Sequence, residues 1–129
     1  MRLVLVRHAE AAPGSPDELR TLTADGQDQA RELGERLRVE GIEPAAVLTS
    51  PLLRARETGA ALGFGEPEAV DALAPGATAE DVRDAVVGRG ETVIVVGHQP
   101  DCGRIAAALG DGTEPAFPPA GAVVLDLPS

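Results

Sequence analysis

Two runs of branched apolar residues, Leu3-Val4-Leu5-Val6 and Val93-Ile94-Val95-Val96, are unbroken by any polar side chain. A run of this length with no alternation belongs to a strand buried on both faces, as in parallel sheets covered by helices on either side. Each run leads into a histidine, Arg7-His8 after the first and Gly97-His98 after the second, and the chain has only 2 histidines. In open α/β sheets ligands bind in the crevice beyond the carboxyl ends of the strands. Both imidazoles are therefore expected at one rim, in one site. The plainer alternative is that each histidine merely ends a strand and faces solvent, which would make their matching positions a coincidence.

Helical patterns fill the space between the strands. Ala30, Leu33 and Leu37 share one face of a helix predicted from near Thr23 to about Glu40, where Gly41 stops it. Ala46 to Thr49 reads as a second strand. Ser50-Pro51 then reads as a helix start, with serine as N-cap and proline at the first helical position, on a helix whose apolar side is Leu52, Leu53, Ala55 and Leu62. A small strand is expected around Ala69 to Leu73. Thr78-Ala79-Glu80-Asp81 resembles a capping box with aspartate in the usual Glu position, and Val82, Ala85 and Val86 continue that helix. Thr92 to Val96, a helix after Pro100 through Leu109, and a closing strand Val123 to Leu125 complete the pattern. Alternating strands and helices give a three-layer α/β/α sandwich with a mostly parallel sheet, expected as one domain over residues 1–129.

The chain carries 21 acidic against 11 basic residues, a net charge of −10, which disfavours nucleic acid and anionic membrane surfaces as partners. With Phe64 and Phe117 as its only aromatics, it also lacks platforms for stacking bases. Every basic residue is arginine, which excludes Schiff-base chemistry and a P-loop lysine. Cys102 is the sole cysteine, so no intrachain disulfide can form and a reducing, cytoplasmic setting is expected. The first strand begins at once, with no room for a signal peptide, and no apolar stretch approaches the ~20 residues of a membrane span.

Three segments just past predicted strands bear the chemistry: Arg7-His8-Ala9-Glu10, Ser50-Pro51-Leu52-Leu53-Arg54-Ala55, and Gly97-His98-Gln99-Pro100. Two guanidinium forks beside two imidazoles describe a site for a tetrahedral oxyanion. A neutral imidazole is a competent nucleophile toward phosphorus if a hydrogen bond on one nitrogen aims the other, and a backbone carbonyl in the Ala9 to Ala12 turn can accept that bond for His8. The helix N-termini after Ser50 and after Pro100 are expected to direct amides at the anion. Asp101 and Cys102 follow His98, yet with the histidines they form no recognisable metal-ligand spacing. Cys102 reads as a buried helix residue, and Arg56 as a solvated one facing away from Arg54.

These segments resemble the histidine phosphatase superfamily, the phosphoglycerate-mutase-like fold. Arg7-His8-Ala9-Glu10 is similar to its RHG or RHA signature, Ser50 to Thr58 to its S-P-x-x-R-A-x-x-T element, and Gly97-His98 to its second histidine. Arg20-Thr21-Leu22-Thr23-Ala24-Asp25-Gly26 resembles the R-x-L-T-x-x-G run of the short phosphohistidine phosphatases of the SixA type, and Leu73-Ala74-Pro75-Gly76 a further segment of that group. The likeness spans residue 2 to about 127.

The resemblance implies His8 as the phosphate-accepting nucleophile, Arg7, Arg54 and His98 as the other members of the phosphate pocket, and Arg20 on its substrate side. It implies no metal and no cofactor. Ala9 replaces the commoner glycine. No carboxylate matches the general acid of the larger members; Asp71 and Glu10 are the nearest options. The implied function is a metal-independent phosphatase without lid insertions, acting through a phosphohistidine intermediate on phosphohistidine in proteins. The competing readings are a phosphomonoesterase for a small phosphorylated metabolite and a non-catalytic module that binds a phospho-ligand. An intact His8 speaks against the last, and the missing lid against a mutase.

Overall fold

The unbroken apolar runs become the two central strands of the computed structural model, which describes residues 1–128. In chain order the elements are β1 (Arg2–Arg7), α1 (Ala24–Val39), β2 (Ala46–Thr49), α2 (Leu53–Ala61), β3 (Glu68–Ala69), α3 (Ala79–Val86), β4 (Thr92–Gly97), α4 (Asp101–Leu109) and β5 (Ala122–Asp126). Single 3-10 turns stand at Asp17–Leu19 and Asp71–Leu73. The sheet order is β3-β2-β4-β1-β5, with β1, β2, β3 and β4 parallel and β5 antiparallel to β1.

Alternate residues of each central strand feed opposite layers. Val4, Val6, Val47, Ile94 and Val96 pack with Ala30, Leu33 and Leu37 of α1 and Ala55 of α2. Leu3, Leu5, Leu48, Val93 and Val95 pack with Val82 and Val86 of α3 and with Ile105 of α4. Leu3, Val4, Val6, Val93, Ile94 and Val96 are wholly buried. Each such side chain contributes about 1.5–3 kcal/mol of transfer free energy, so β1 and β4 are the most firmly held strands and their ends make a rigid rim.

The chain leaves β1 toward the α1 layer and leaves β4 toward the α4 layer, and these strands are neighbours in register, Arg7 opposite Gly97. A crevice opens at this kind of switch between adjacent strands. The connection from α2 to α3 holds only the two-residue β3 and one 3-10 turn, so no inserted layer of helices covers the rim.

Several boundaries differ from the sequence reading. The helix expected from near Thr23 starts at Ala24, where the Thr23 side chain caps it by accepting from the Gly26 amide. α2 starts at Leu53 rather than at Pro51: Leu52 takes the cap position without a side-chain bond, and Ser50 Oγ instead accepts from the Leu52 amide and meets His98. Leu52 and Leu53 are only half-buried, and the inward face of α2 is Arg54, Ala55, Thr58 and Gly59. The strand expected at Ala69 to Leu73 is reduced to Glu68–Ala69, after which the chain turns. The Thr78–Asp81 capping box forms reciprocally, aspartate reaching the Thr78 amide as glutamate would.

Candidate active site

His8 and His98 follow the two central strands and lie side by side, their ring centroids 5.3 Å apart and tilted by 59°. The His8 Nδ1 lies 2.7 Å from the Ala9 carbonyl oxygen. A carbonyl only accepts, so Nδ1 carries the proton and donates, leaving Nε2 with a free lone pair. The Ala9 peptide is fixed from the other side, where its amide donates to the buried Thr58 Oγ1 at 3.0 Å. Thr58 Oγ1 in turn donates to the Arg54 carbonyl at 2.8 Å. One threonine thus ties the turn after His8 to the helix bearing Arg54. The sequence shows Thr58 as part of a motif but not what it touches.

His98 is buried, and its Nε2 stands 2.7 Å from Ser50 Oγ. Ser50 Oγ also accepts from the Leu52 amide; in the neutral tautomer whose Nε2 accepts the Ser50 hydroxyl proton, Nδ1 of His98 carries the proton and is a donor. Burial above all, then the charge of His8 and of Arg54, brings the His98 pKa down to about 4. His8 is lowered too, chiefly by burial, with the charges of Arg54, Arg7 and Arg20 adding to it and the Ala9 hydrogen bond opposing. Both imidazoles are therefore neutral at pH 7.

The two arginines are tethered by their outer nitrogens. Arg7 Nη1 donates to the Phe117 carbonyl at 3.0 Å. Arg54, whose side chain is only 8% exposed, donates from Nη1 to the Asp17 carbonyl at 2.9 Å and from Nη2 to the Asp17 carboxylate at 3.2 Å. Among the described residues the buried side-chain polar atoms without a hydrogen-bond partner are Arg7 Nε, Arg54 Nε and His98 Nδ1. All three belong to this cluster; the two guanidinium Nε atoms are donors, and His98 Nδ1 is one in its Nδ1-protonated tautomer. Buried polar atoms are nearly always satisfied in native proteins, so three together mark a place built for a ligand, and the two guanidinium donors among them favour an acceptor-rich, negatively charged one.

The other expected residues fall around this centre. Arg20 donates from Nε to the Ala12 carbonyl and pairs with Asp17, and its charge reaches His8. Glu10 is exposed and accepts from the Thr23 hydroxyl. Asp71 is exposed at the start of its 3-10 turn. Arg56 is exposed, as its spacing from Arg54 implies. Cys102 is buried, and burial pushes its thiol up to about 12, which leaves it no thiolate for chemistry. Of the amides at the start of α4, that of Cys102 donates to the His98 carbonyl and that of Gly103 to the Gln99 side chain, so these two are already engaged rather than directed at the site. No group of three or more His, Cys, Asp or Glu side chains among the described residues has the arrangement of a metal site. Asp17 was not anticipated from sequence, because it lies in a Gly- and Pro-rich loop with no motif around it.

A family model described as the histidine phosphatase superfamily (branch 1) matches residues 3–74 of the chain. The chain belongs to that superfamily. It is 30% identical over 125 residues to the phosphohistidine phosphatase SixA of Escherichia coli K12, covering 89% of this chain and 78% of that protein. It is 34% identical over 123 residues to an uncharacterized protein of Picosynechococcus, covering 87% of this chain and 74% of the relative. The structure of the protein histidine phosphatase SixA complexed with tungstate superposes with a TM-score of 0.87 at 30% identity, over 96% of this chain and 86% of that one. A phosphoserine phosphatase of Entamoeba histolytica shares the fold alone, with a TM-score of 0.74 at 16% identity. This histidine phosphatase fold is thus a phosphatase by family, with the phosphoglycerate-mutase-like architecture that its sequence resembles.

Proposed function

We propose that this chain is a metal-independent phosphatase that hydrolyses phosphohistidine on proteins, using His8 as a covalent nucleophile. The observation that carries the reading is the His8 Nδ1 bond to the Ala9 carbonyl at 2.7 Å, which bares Nε2 beside the unpaired Nε–H groups of Arg7 and Arg54 and the unpaired Nδ1 of His98. Nε2 attacks phosphorus in line with the departing atom. Arg7 Nε, Arg54 Nε and His98 Nδ1 meet the equatorial oxygens and offset the charge that spreads over them in the loose transition state. Here guanidinium groups supply the positive charge that metal ions supply in other phosphoryl-transfer sites. Water then attacks the phosphoenzyme and releases inorganic phosphate.

Two observations support phosphohistidine as the substrate. The named relative with the highest structural overlap quoted above is a protein histidine phosphatase, and the rim carries no covering layer that would exclude a side chain standing on a protein surface. Leu19, in the same 3-10 turn as Asp17, is 59% exposed, an apolar contact for such a surface.

The test is rapid quench with labelled phosphohistidine. One phosphoryl group is expected on His8, stable in alkali and released in acid, and His8→Ala is expected to fold while losing turnover. Label on a serine or an aspartate would refute this reading, and faster turnover of small phosphomonoesters than of phosphohistidine proteins would reassign the substrate.

A further inference from the structure

We propose that Asp17 is a further catalytic residue: its carboxyl group passes a proton to the leaving atom and later takes one from the water that hydrolyses the phosphoenzyme. The proposal rests on the reading of His8 as nucleophile.

Asp17 opens the 3-10 turn between β1 and α1, and its backbone carbonyl is the anchor for Arg54 Nη1 at 2.9 Å. Its carboxylate bridges two arginines, Arg54 Nη2 and Arg20 Nη1, each at 3.2 Å. Among the described residues it is the only carboxylate paired with either of these arginines or with Arg7. Its negative charge also reaches His98, where it opposes the lowering caused by the surrounding cations. The side chain is 62% exposed while that of its partner Arg54 is 8% exposed, so the pair runs from the lip of the site to its floor. A nucleophile on the floor requires the leaving atom to point outward, toward that lip. Neither Glu10, bonded to Thr23, nor Asp71, exposed on the α2–α3 connection, has a hydrogen bond or ion pair to His8, His98, Arg7 or Arg54.

The same neighbours account for the proton. In the free site the Arg20 hydrogen bond, then the charge and hydrogen bond of Arg54, hold the Asp17 carboxyl below the usual carboxylate range. A phosphoryl dianion claims those guanidinium groups and sets its own charge beside the carboxylate; both changes raise its proton affinity. In the first step the bond from His8 Nε2 to phosphorus forms, the bond from phosphorus to the leaving nitrogen or oxygen breaks, and that atom takes the Asp17 proton. In the second, water loses a proton to the Asp17 carboxylate as its oxygen attacks phosphorus, and the electron pair of the breaking P–N bond returns to Nε2. Asp17 ends protonated and the enzyme is restored.

Asp17→Asn keeps the backbone anchor for Arg54 and one acceptor oxygen, enough for one of the two arginine side-chain bonds, while removing the titrating group. Its kcat/KM is to be compared with wild type across nitrophenyl, phenyl and alkyl phosphates. The expected result is near-wild-type turnover of nitrophenyl phosphate and a loss growing to about 10²–10⁴-fold for the alkyl ester, the scale of general acid catalysis. Asp17→Glu should restore part of it, and the basic limb of the kcat–pH profile should vanish in Asp17→Asn. A uniform loss across the series would show that Asp17 only positions Arg54, and no loss would remove it from the reaction; either overturns the proposal. If wild type forms no phosphoenzyme on His8, it is the reading of the site that fails, whatever the series shows.

Discussion

Arg54 and Arg56 sit two positions apart on one helix and have opposite fates. Arg54 points inward, its Nη atoms held by Asp17 and its Nε buried without a partner, while Arg56 is exposed. Arg54→Ala and Arg7→Ala are each expected to lower kcat/KM by roughly 10²–10³, the scale for one preorganised donor to a transition-state oxyanion. Arg54→Lys should recover little, since a point charge reproduces neither the tether nor the side-on Nε. Arg56→Ala should stay within about twofold, as surface changes do. Steady-state kinetics on nitrophenyl phosphate settle the ranking, and a deleterious Arg56→Ala would mean that the wrong face of α2 has been assigned to the site. The arginines were legible in the sequence because helical spacing separates them. Their tethers were not: the Asp17 and Phe117 carbonyls are backbone groups that no side-chain pattern announces. Asp17 is the more instructive omission, a carboxylate in a featureless loop whose relevance appears only when the loop folds over Arg54.

Packing between elements depends on atoms that are missing. At Gly34 in α1 a methyl group would overlap the Leu62 carbonyl oxygen at the end of α2, and at Gly26 it would overlap the Glu10 carbonyl in the loop after β1. On an exposed helix, Gly→Ala gains up to about 1 kcal/mol from propensity. At Gly34 the overlap forces the helices apart, and Gly34→Ala is expected to destabilise by about 1–3 kcal/mol, as overpacking does. Urea unfolding measures it, with Glu35→Ala on the exposed side of the same helix as a near-neutral control; a stabilised Gly34→Ala would mean that α1 and α2 are not in contact there. At this scale the sequence was readable where periodicity is long. The Ala30, Leu33, Leu37 stripe and the Gly41 stop located α1 within a residue or so. It misled where a polar residue had a second employment: Ser50 looked like an N-cap, but its hydroxyl serves His98 and the helix starts three residues later.

For the molecule as a whole, the depressed histidines couple stability to pH. In the unfolded chain His98 titrates near its ordinary value of 6.5, whereas in the fold it takes a proton only at about 4. Above 6.5 neither state is protonated, and between 6.5 and about 4 the unfolded state binds more protons, so stability falls as pH drops through that window. His8, also lowered, acts in the same direction. Urea midpoints are expected to decline across this window and to decline less in His98→Gln; added tungstate should lessen the decline in wild type by supplying a negative charge. An equal slope in wild type and His98→Gln would refute the coupling. The layered architecture and the meeting of the two histidines followed from the apolar runs that end in them. The order of the strands did not, because each run shows that it is buried but not which neighbours bury it. That order has a temporal side. β1, which delivers the nucleophile, is made first, yet both strands that flank it, β4 and β5, come from residues 92–97 and 122–126. At about 5–20 residues per second on a ribosome, the nascent first strand spends several seconds without its lateral partners. Residues 1–91 alone hold neither neighbour of β1 and lack His98, so the two histidines cannot meet until the fourth strand has been made.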